Sequence, residues 1–366
     1  MRIAMIGHKE YPSYSGGVEA FVSELAPSLA QRGYDVTVYN RGLRKDGNRY
    51  EAGGVNVRRV FTVQKPALHA TLSSFLATFD ALEVGYDVLH YHAIGPSVPL
   101  FLAKLLGRHT VCTVHGLNWK VDKWKGFASW YLKLGEKIAA RYADELVVLS
   151  RTEQDYFYQT YGRKATWIPN AIPYREPLPA NLIMQRYGLK PGSYILYVGR
   201  ISPEKGTLEL VEAYQRSNTG KKLVLAGPLP QEEYAQKVAE LIQQTPDILA
   251  TGYVTGELLQ ELYSNCALFV LPSHTEGLSL SLLQALSVGA RCLVSDIPEN
   301  TAVIGPYGAT FPSRDTEALA QALEQLTVQP DSQSRRSEQI QWFRRKYDYH
   351  TMVERYEEVY RRVMIK

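Results

Sequence analysis

The chain has 366 residues, of which 45% are hydrophobic and 21% charged, enough for about two domains whose cores need no disulfide or metal to hold them. Lys and Arg total 41 against 37 Asp and Glu, and this small excess is spread thinly, which excludes a nucleic-acid binder recognised by a dense basic tract. Cys112, Cys266 and Cys292 sit in apolar runs and read as thiols of a reducing compartment, Met1–Gly7 is too short for a signal segment, and no apolar stretch approaches the roughly 18–20 residues of a membrane span.

In chain order, near-continuous apolar runs predict strands at Arg2–Gly7, Asp35–Asn40, Val55–Phe61, Asp87–His92, Thr110–His115 and Glu145–Leu149. Runs without alternation fit parallel strands covered on both faces. Between the first two, Phe21, Leu25 and Leu29 recur at helical spacing within Val18–Arg32, and Gly33 stands where a left-handed cap ends a helix. Pro169, Pro173, Pro177 and Pro179 allow neither helix nor strand to continue, so a linker is expected at about Asn170–Asn181. The alternation then restarts. Strands are predicted at Tyr194–Gly199, Lys222–Gly227, Asp247–Thr251, Ala267–Leu271 and Arg291–Ser295, with helices near Leu208–Gln215, Glu232–Gln243, Gly256–Ser264 and Leu278–Val288. The final stretch carries an apolar stripe of Met352, Val353, Tyr356, Val359, Tyr360 and Val363 on an otherwise charged helix. The expected class is α/β, with two doubly wound Rossmann-like domains at 1–172 and 182–345 and a C-terminal helix at 346–366 that packs back on the first.

In open parallel sheets ligands bind beyond the carboxyl ends of the strands, so the loops that follow the strands hold the candidates. After the first strand, Gly16 and Gly17 open a helix, where free backbone N–H groups face an anion; a tight turn and cap explain them equally. After Tyr194–Gly199 come Arg200 and Lys205, a forked donor and a point charge suited to a diphosphate, or two solvated cations with Glu204 as partner. After Ala267–Leu271 come Glu276 and Gly277 at the start of a predicted helix. There Glu276 either accepts from hydroxyls or caps the helix, and the amides of Gly277, Leu278 and Ser279 offer a phosphate site. Gln284 lies two turns on, along the same face. His115 ends a strand beside Gly116, Asn118 and Trp119. His90 and His92 face one way on their strand with no third ligand nearby, and read as structural rather than zinc-binding. No D-x-D, P-loop, G-x-S-x-G or G-x-G-x-x-G occurs.

Gly16-Gly17-Val18-Glu19, His115-Gly116-Leu117-Asn118-Trp119, Gly199-Arg200 with Glu204-Lys205-Gly206, and Pro272-Ser273 with Glu276-Gly277-Leu278 occur in that order. The pattern resembles family 4 glycosyltransferases, retaining enzymes of the GT-B fold, and spans essentially the whole chain. The resemblance implies two domains facing a cleft, the first on the acceptor side and the second holding a nucleotide-diphosphate sugar, with a UDP-sugar favoured. It implies that Arg200 and Lys205 hold the diphosphate without a metal, that Glu276 binds donor-sugar hydroxyls, and that His115 contacts the donor sugar. Gly17 would approach the phosphates, Gly277–Ser279 would hold the distal phosphate, and Tyr253 and Val254 would border the base. The family's second Glu, usually assigned to the ribose, is replaced here by Gln284. Asn118 and Trp119 are candidate acceptor contacts. No nucleophile is evident, in keeping with same-face attack in a tight ion pair, and no cofactor is expected.

Members with a similar opening and His-Gly-Leu segment build bacterial surface polysaccharides, so a glycan or polyprenyl-linked acceptor and a cytoplasmic location are expected. Lys120–Lys137 mixes five lysines with Trp119, Trp124, Phe127, Trp130 and Tyr131. This mixture fits either an anionic membrane surface or an amphipathic helix with Phe127, Tyr131, Leu134 and Ile138 on the core. Three other readings stay open at this level. A phosphorylase would need inorganic phosphate, an epimerase would need no acceptor, and Gln284 favours a non-catalytic nucleotide-sugar-binding or assembly protein.

Overall fold

Strands made of Val, Ile, Leu and Tyr in unbroken runs cannot leave a face in water, and the chain buries them between helices on both sides. In the computed structural model, which describes residues 1–44, 47–63, 66–117, 126–228, 233–329 and 331–365, the chain forms two compact units. One is Met1–Asn170 with Tyr349–Lys366, and the other is Ala171–Asp348.

The first unit contains, in order, β1 (Arg2–Ile6), α1 (Gly17–Gln31), β2 (Asp35–Arg41), β3 (Arg49–Ala52), β4 (Val55–Val60), α2 (Pro66–Val84), β5 (Val88–His92), α3 (Leu100–Leu105), β6 (His109–Val114), α4 (Phe127–Tyr142), β7 (Glu145–Val148), α5 (Arg151–Tyr161) and β8 (Thr166–Trp167). The sheet order is β3-β4-β2-β1-β5-β6-β7-β8. Every pair is parallel except β3 with β4, a short hairpin at the edge. Phe21, Val22, Leu25, Ala26 and Leu29 form the buried stripe of α1, and Gly33 beyond its end has φ +88°.

The second unit contains α6 (Leu182–Tyr187), β9 (Tyr194–Val198), α7 (Thr207–Arg216), β10 (Lys222–Ala226), α8 (Glu233–Gln244), β11 (Ile248–Gly252), α9 (Gly256–Asn265), β12 (Leu268–Leu271), α10 (Leu280–Ser287), β13 (Cys292–Ser295), α11 (Pro298–Ile304), β14 (Gly308–Phe311), α12 (Thr316–Thr327) and α13 (Gln333–Lys346). Its six strands are all parallel, in the order β11-β10-β9-β12-β13-β14. Ile195, Tyr197, Leu210, Leu223, Leu225, Leu268 and Val270 form its core together with Leu319 and Leu323 of α12.

The last helix, α14 (Tyr349–Ile365), belongs to the first unit. Its stripe of Met352, Val353, Tyr356, Val359, Tyr360 and Val363 is buried, and the Tyr349 hydroxyl donates to the Glu24 carbonyl at 2.7 Å. Arg32 and Glu357 close the same contact with an ion pair of 2.6 Å. All three cysteines are buried free thiols. Among the described residues no helix is long and apolar enough to cross a membrane.

Candidate active site

In the second unit the chain runs from β9 outward to β11 and then returns to place β12 on the other side of β9. The loops after β9 and β12 therefore leave the sheet side by side at the point where the strand order reverses, the place where doubly wound sheets bind ligands. Two glycines allow the loops to fold this tightly. Gly206 ends a single 3-10 turn, Pro203–Lys205, with φ +64°, and a Cβ there would run into the Pro272 carbonyl. Gly227, after β10, lies so close to the Gly199 carbonyl that any side chain would overlap it. The His274 N–H donates to the Glu204 carbonyl at 2.9 Å and ties the two loops together.

This framework brings Lys205 and Glu276 into contact. Lys205 Nζ lies 2.6 Å from Glu276 Oε1, and Ser273 Oγ donates to the same oxygen at 2.7 Å. The Glu276 side chain is only 7% exposed, so the lysine supplies the compensating charge that a buried carboxylate needs. Arg200 stands apart at 54% exposure, with Nη2 3.6 Å from Glu204 Oε1. Ser273, which stands in the Pro272-Ser273 motif without an assigned role, orients the carboxylate, a contact its place three residues before Glu276 does not reveal by itself.

The structure corrects the start of the following helix. The predicted helix at Leu278–Val288 begins at Leu280, and Ser279 is its cap, with its hydroxyl accepting from the Leu282 N–H at 3.4 Å. Glu276 is thus a loop residue and not a helix cap, because the Ser279 side chain takes that role. Gly277 and Leu278 lie between the carboxylate and the cap, and Gln284 is half-buried on α10. Tyr253 is exposed and Val254 half-buried just after β11.

In the first unit the strand order reverses between β1 and β5. Gly16 caps α1 in an extended conformation and Gly17 is the first helical residue. A Cβ at Gly17 would meet nothing within 4 Å, so the packing of the protein does not itself require glycine there. Glu19, in the first turn, accepts from the Lys9 N–H at 3.0 Å and fixes the loop against the helix.

His115 follows β6. Its Nε2 lies 3.2 Å from Nδ1 of His92 on the neighbouring strand, and Phe21 meets its ring edge-on at 5.0 Å between centroids. His92 is stacked 4.1 Å from His90, which bonds the Tyr360 hydroxyl and Thr113 Oγ1, each at 2.8 Å. Burial pushes His90 and His115 down to about 3 and His8 down to about 4, so these rings are neutral at physiological pH. His92, read as structural, turns out to be the partner of His115, a link that depends on β5 and β6 pairing and not on spacing along the chain. Among the described residues, no group of three or more His, Cys, Asp or Glu is arranged to hold a metal ion. Asn118 and Trp119, with Lys120, Lys123, Trp124 and Lys125, lie outside the described residues.

Residues 15–175 match the family described as Glycosyltransferase Family 4, and residues 181–341 match the family Glycosyl transferases group 1, so that the two matches together cover most of the chain. The chain belongs to glycosyltransferase family 4. It is 28% identical over 372 aligned residues to the alpha-maltose-1-phosphate synthase of Mycolicibacterium smegmatis, covering 90% of this chain and 91% of that protein. It is 25% identical to the O-antigen chain mannosyltransferase C of Escherichia coli, covering 92% of both. The Anabaena protein Alr3699/HepE, solved in complex with UDP and glucose, is 17% identical and superimposes with a TM-score of 0.80 over 98% of this chain and 99% of that one. The fold of this family 4 glycosyltransferase is accordingly GT-B, and its chemistry is glycosyl transfer.

Proposed function

We propose that this glycosyltransferase moves a sugar from a nucleotide-diphosphate sugar, a UDP-sugar in preference, to a glycan or polyprenyl-linked acceptor in surface polysaccharide synthesis, with retention and without a metal. The observation that carries this reading is the Lys205–Glu276 pair at the reversal of the second sheet, with Arg200 on the same loop as Lys205. Arg200 and Lys205 take up the charge that develops on the departing diphosphate, the role of preorganised cations at a leaving group. Glu276, held by Ser273, accepts from donor-sugar hydroxyls. The backbone N–H groups of Gly277, Leu278 and Ser279 hold the distal phosphate, and Gln284 bonds the ribose diol. Tyr253 and Val254 border the base. Gly17 admits the phosphates because no protein atom needs the space beside it, and Gly16, where a Cβ would meet the Glu19 carboxylate, lets the chain turn into the helix. His115 is a neutral ring held by His92, and it offers a hydrogen bond to the sugar rather than a charge. Asn118 and Trp119 contact the acceptor. No side chain is assigned as nucleophile, and attack proceeds on the face that the diphosphate leaves.

A peripheral contact with an anionic membrane is supported by α4. Trp130, Lys133, Lys137 and Arg141 form one exposed stripe on it, while Tyr131, Leu134 and Ile138 pack on the core. Cations and an exposed Trp on one face are the pattern of a helix lying at a lipid surface. Sedimentation with phosphatidylglycerol vesicles should carry the protein down, and its absence from the pellet removes this contact.

The deciding experiment is a panel of UDP-, GDP-, dTDP- and ADP-sugars with and without EDTA, read by thermal shift and by nucleotide release. Selective stabilisation and EDTA-resistant release are expected. Full loss of release in EDTA overturns metal independence. No response to any nucleotide sugar moves the reading to a non-catalytic member, with Gln284 as the first residue to examine.

A further inference from the structure

The last helix reaches into the histidine cluster of the first unit. The Tyr360 hydroxyl meets His90 Nδ1 at 2.8 Å, 270 positions away in the chain, and His90 Nε2 meets Thr113 Oγ1 at 2.8 Å. Tyr360 is fully buried, and among the described residues its hydroxyl has no other hydrogen-bond partner. A buried phenol must give its proton to an acceptor, so Tyr360 donates and His90 Nδ1 accepts. The His90 ring is neutral, so its own proton sits on Nε2 and goes to Thr113. Both edges of this ring are thereby fixed, one by α14 and the other by β6.

His92 rests on that ring, with centroids 4.1 Å apart and planes tilted by 39°. Phe21 of α1 lies against both His92 and His115, at 5.8 and 5.0 Å between centroids. The backbone beside His92 is also constrained. Ala93 has φ +71°, which residues with a side chain rarely adopt, and its N–H donates to the Thr113 carbonyl at 2.9 Å. Such a conformation persists only where the surroundings over-determine it, and it clusters at functional sites. His92 engages one nitrogen, Nδ1, 3.2 Å from His115 Nε2, while its Nε2 is buried with no partner among the described residues. A buried N–H without an acceptor is rare, so His92 carries its proton on Nδ1 and donates it to His115. His115, also neutral, then carries its own proton on Nδ1, a nitrogen that no protein group engages among the described residues. A tilt of the His92 ring would carry Nδ1 away and leave His115 free to hold its proton on either nitrogen. The stack on His90 opposes that tilt.

We propose that Tyr360 is a positioning residue for glycosyl transfer, which fixes His90, through it the stacked His92, and so the proton that His115 presents on Nδ1. The inference rests on the reading above in which His115 contacts the donor sugar. It adds that this contact is a donated hydrogen bond whose direction is set by the last helix. Tyr360 acts without touching substrate.

The test compares two hydroxyls of the same helix. Tyr360→Phe removes the bond to His90, and Tyr349→Phe removes the bond to the Glu24 carbonyl. Both should lower the urea midpoint by a similar amount. Tyr360→Phe alone should lower kcat for nucleotide release from the preferred donor, by about tenfold, the scale of a slightly misplaced contact. Its affinity for the free nucleoside diphosphate, which has no sugar to meet His115, should stay within twofold by calorimetry. NMR of the full chain with labelled histidines, taken without donor, should find the proton on Nε2 of His90 and on Nδ1 of His92 and His115. In Tyr360→Phe the His115 ring should lose that single form. Thr113→Val frees the other edge of His90 and should act like Tyr360→Phe, whereas Thr113→Ser keeps the hydroxyl and should retain kcat. That pair reads the relay even where Tyr360→Phe unfolds. Equal kcat in Tyr360→Phe and Tyr349→Phe, or His115 ring nitrogens unchanged in Tyr360→Phe, overturns the proposal. Failure of the glycosyl-transfer reading shows separately, as a parent chain that releases no nucleotide from any nucleotide sugar while its His115 ring still responds to Tyr360→Phe.

Discussion

The Lys205 ammonium lies 2.6 Å from the Glu276 carboxylate although the two residues are 71 positions apart in the chain. They meet because β9 and β12 pair directly, with Ile195 opposite Leu268, so the loops that follow them leave the sheet together. The cation assigned to the leaving group and the carboxylate assigned to the sugar therefore share one hydrogen-bonded unit with Ser273.

Lys205→Ala is expected to lower kcat by about 10²–10³-fold, the scale of removing one preorganised donor from a developing charge. Glu276→Gln keeps the contacts with Ser273 and Lys205 but removes the negative charge, and should lower kcat with less effect on stability than Lys205→Ala. Nucleotide release from the preferred donor, together with urea unfolding of each variant, separates the two effects. Near-normal turnover in Lys205→Ala would remove Lys205 from the machinery.

Gly206→Ala tests the turn that presents Lys205. Its φ of +64° alone costs a side chain about 1–2 kcal/mol, and the new Cβ also meets the Pro272 carbonyl. Gly252 has a similar φ of +70°, but a Cβ there meets nothing within 4 Å. Gly206→Ala should therefore lower the urea midpoint more than Gly252→Ala and should also reduce kcat. Equal effects of the two substitutions would show that the contact with the second loop is unimportant.

Gln284→Glu restores a carboxylate on α10. Charged acceptors bond hydroxyls more strongly than amides, so the affinity for UDP should rise by up to about tenfold. Calorimetry with UDP measures it, and unchanged affinity would count against a ribose contact for this position.

The buried histidines predict a pH dependence of folding. In the unfolded chain they titrate near the ordinary 6.5, whereas in the fold His90 and His115 are held at about 3 and His8 at about 4, chiefly by burial. Below pH 6.5 the unfolded chain therefore binds protons that the native state does not, and stability falls as pH falls through the window from 6.5 towards those values. The slope is about 1.4 kcal/mol per pH unit for each fully neutral buried histidine. Urea unfolding of the full chain at pH 7.5 and pH 5.5 should show a clear loss at the lower value. Equal midpoints would mean that these rings titrate normally.

Much of this protein is legible residue by residue. Apolar runs such as Tyr194–Val198 and Leu268–Leu271 name themselves as buried parallel strands, because covering both faces leaves no polar alternation. Glycines and charged residues after strand ends pointed to the loops at 199–206 and 272–279. Elements with weak patterns were missed. The edge strand β3, Arg49–Ala52, has no fully buried residue, and β14 buries only Phe311. Helix α13 escaped notice because only Gln339 and Phe343 of its fourteen residues are buried, leaving almost no stripe to read. Ser279 rather than Glu276 caps α10 because two serines and a glutamate within a few residues all offer an acceptor, and only the loop's path selects one.

The order of apolar runs and turn residues was enough to establish two α/β layers and the family motifs, since period and turn chemistry are local properties. It did not establish which side chains meet. The Lys205–Glu276 pair, the hold of His92 on His115 and the burial of Tyr360 against His90 all arise between strands or helices distant in the chain. Those contacts follow from sheet order and register, which hydrogen bonding between separate segments sets, and it is there that the charges and tautomers of the site are decided.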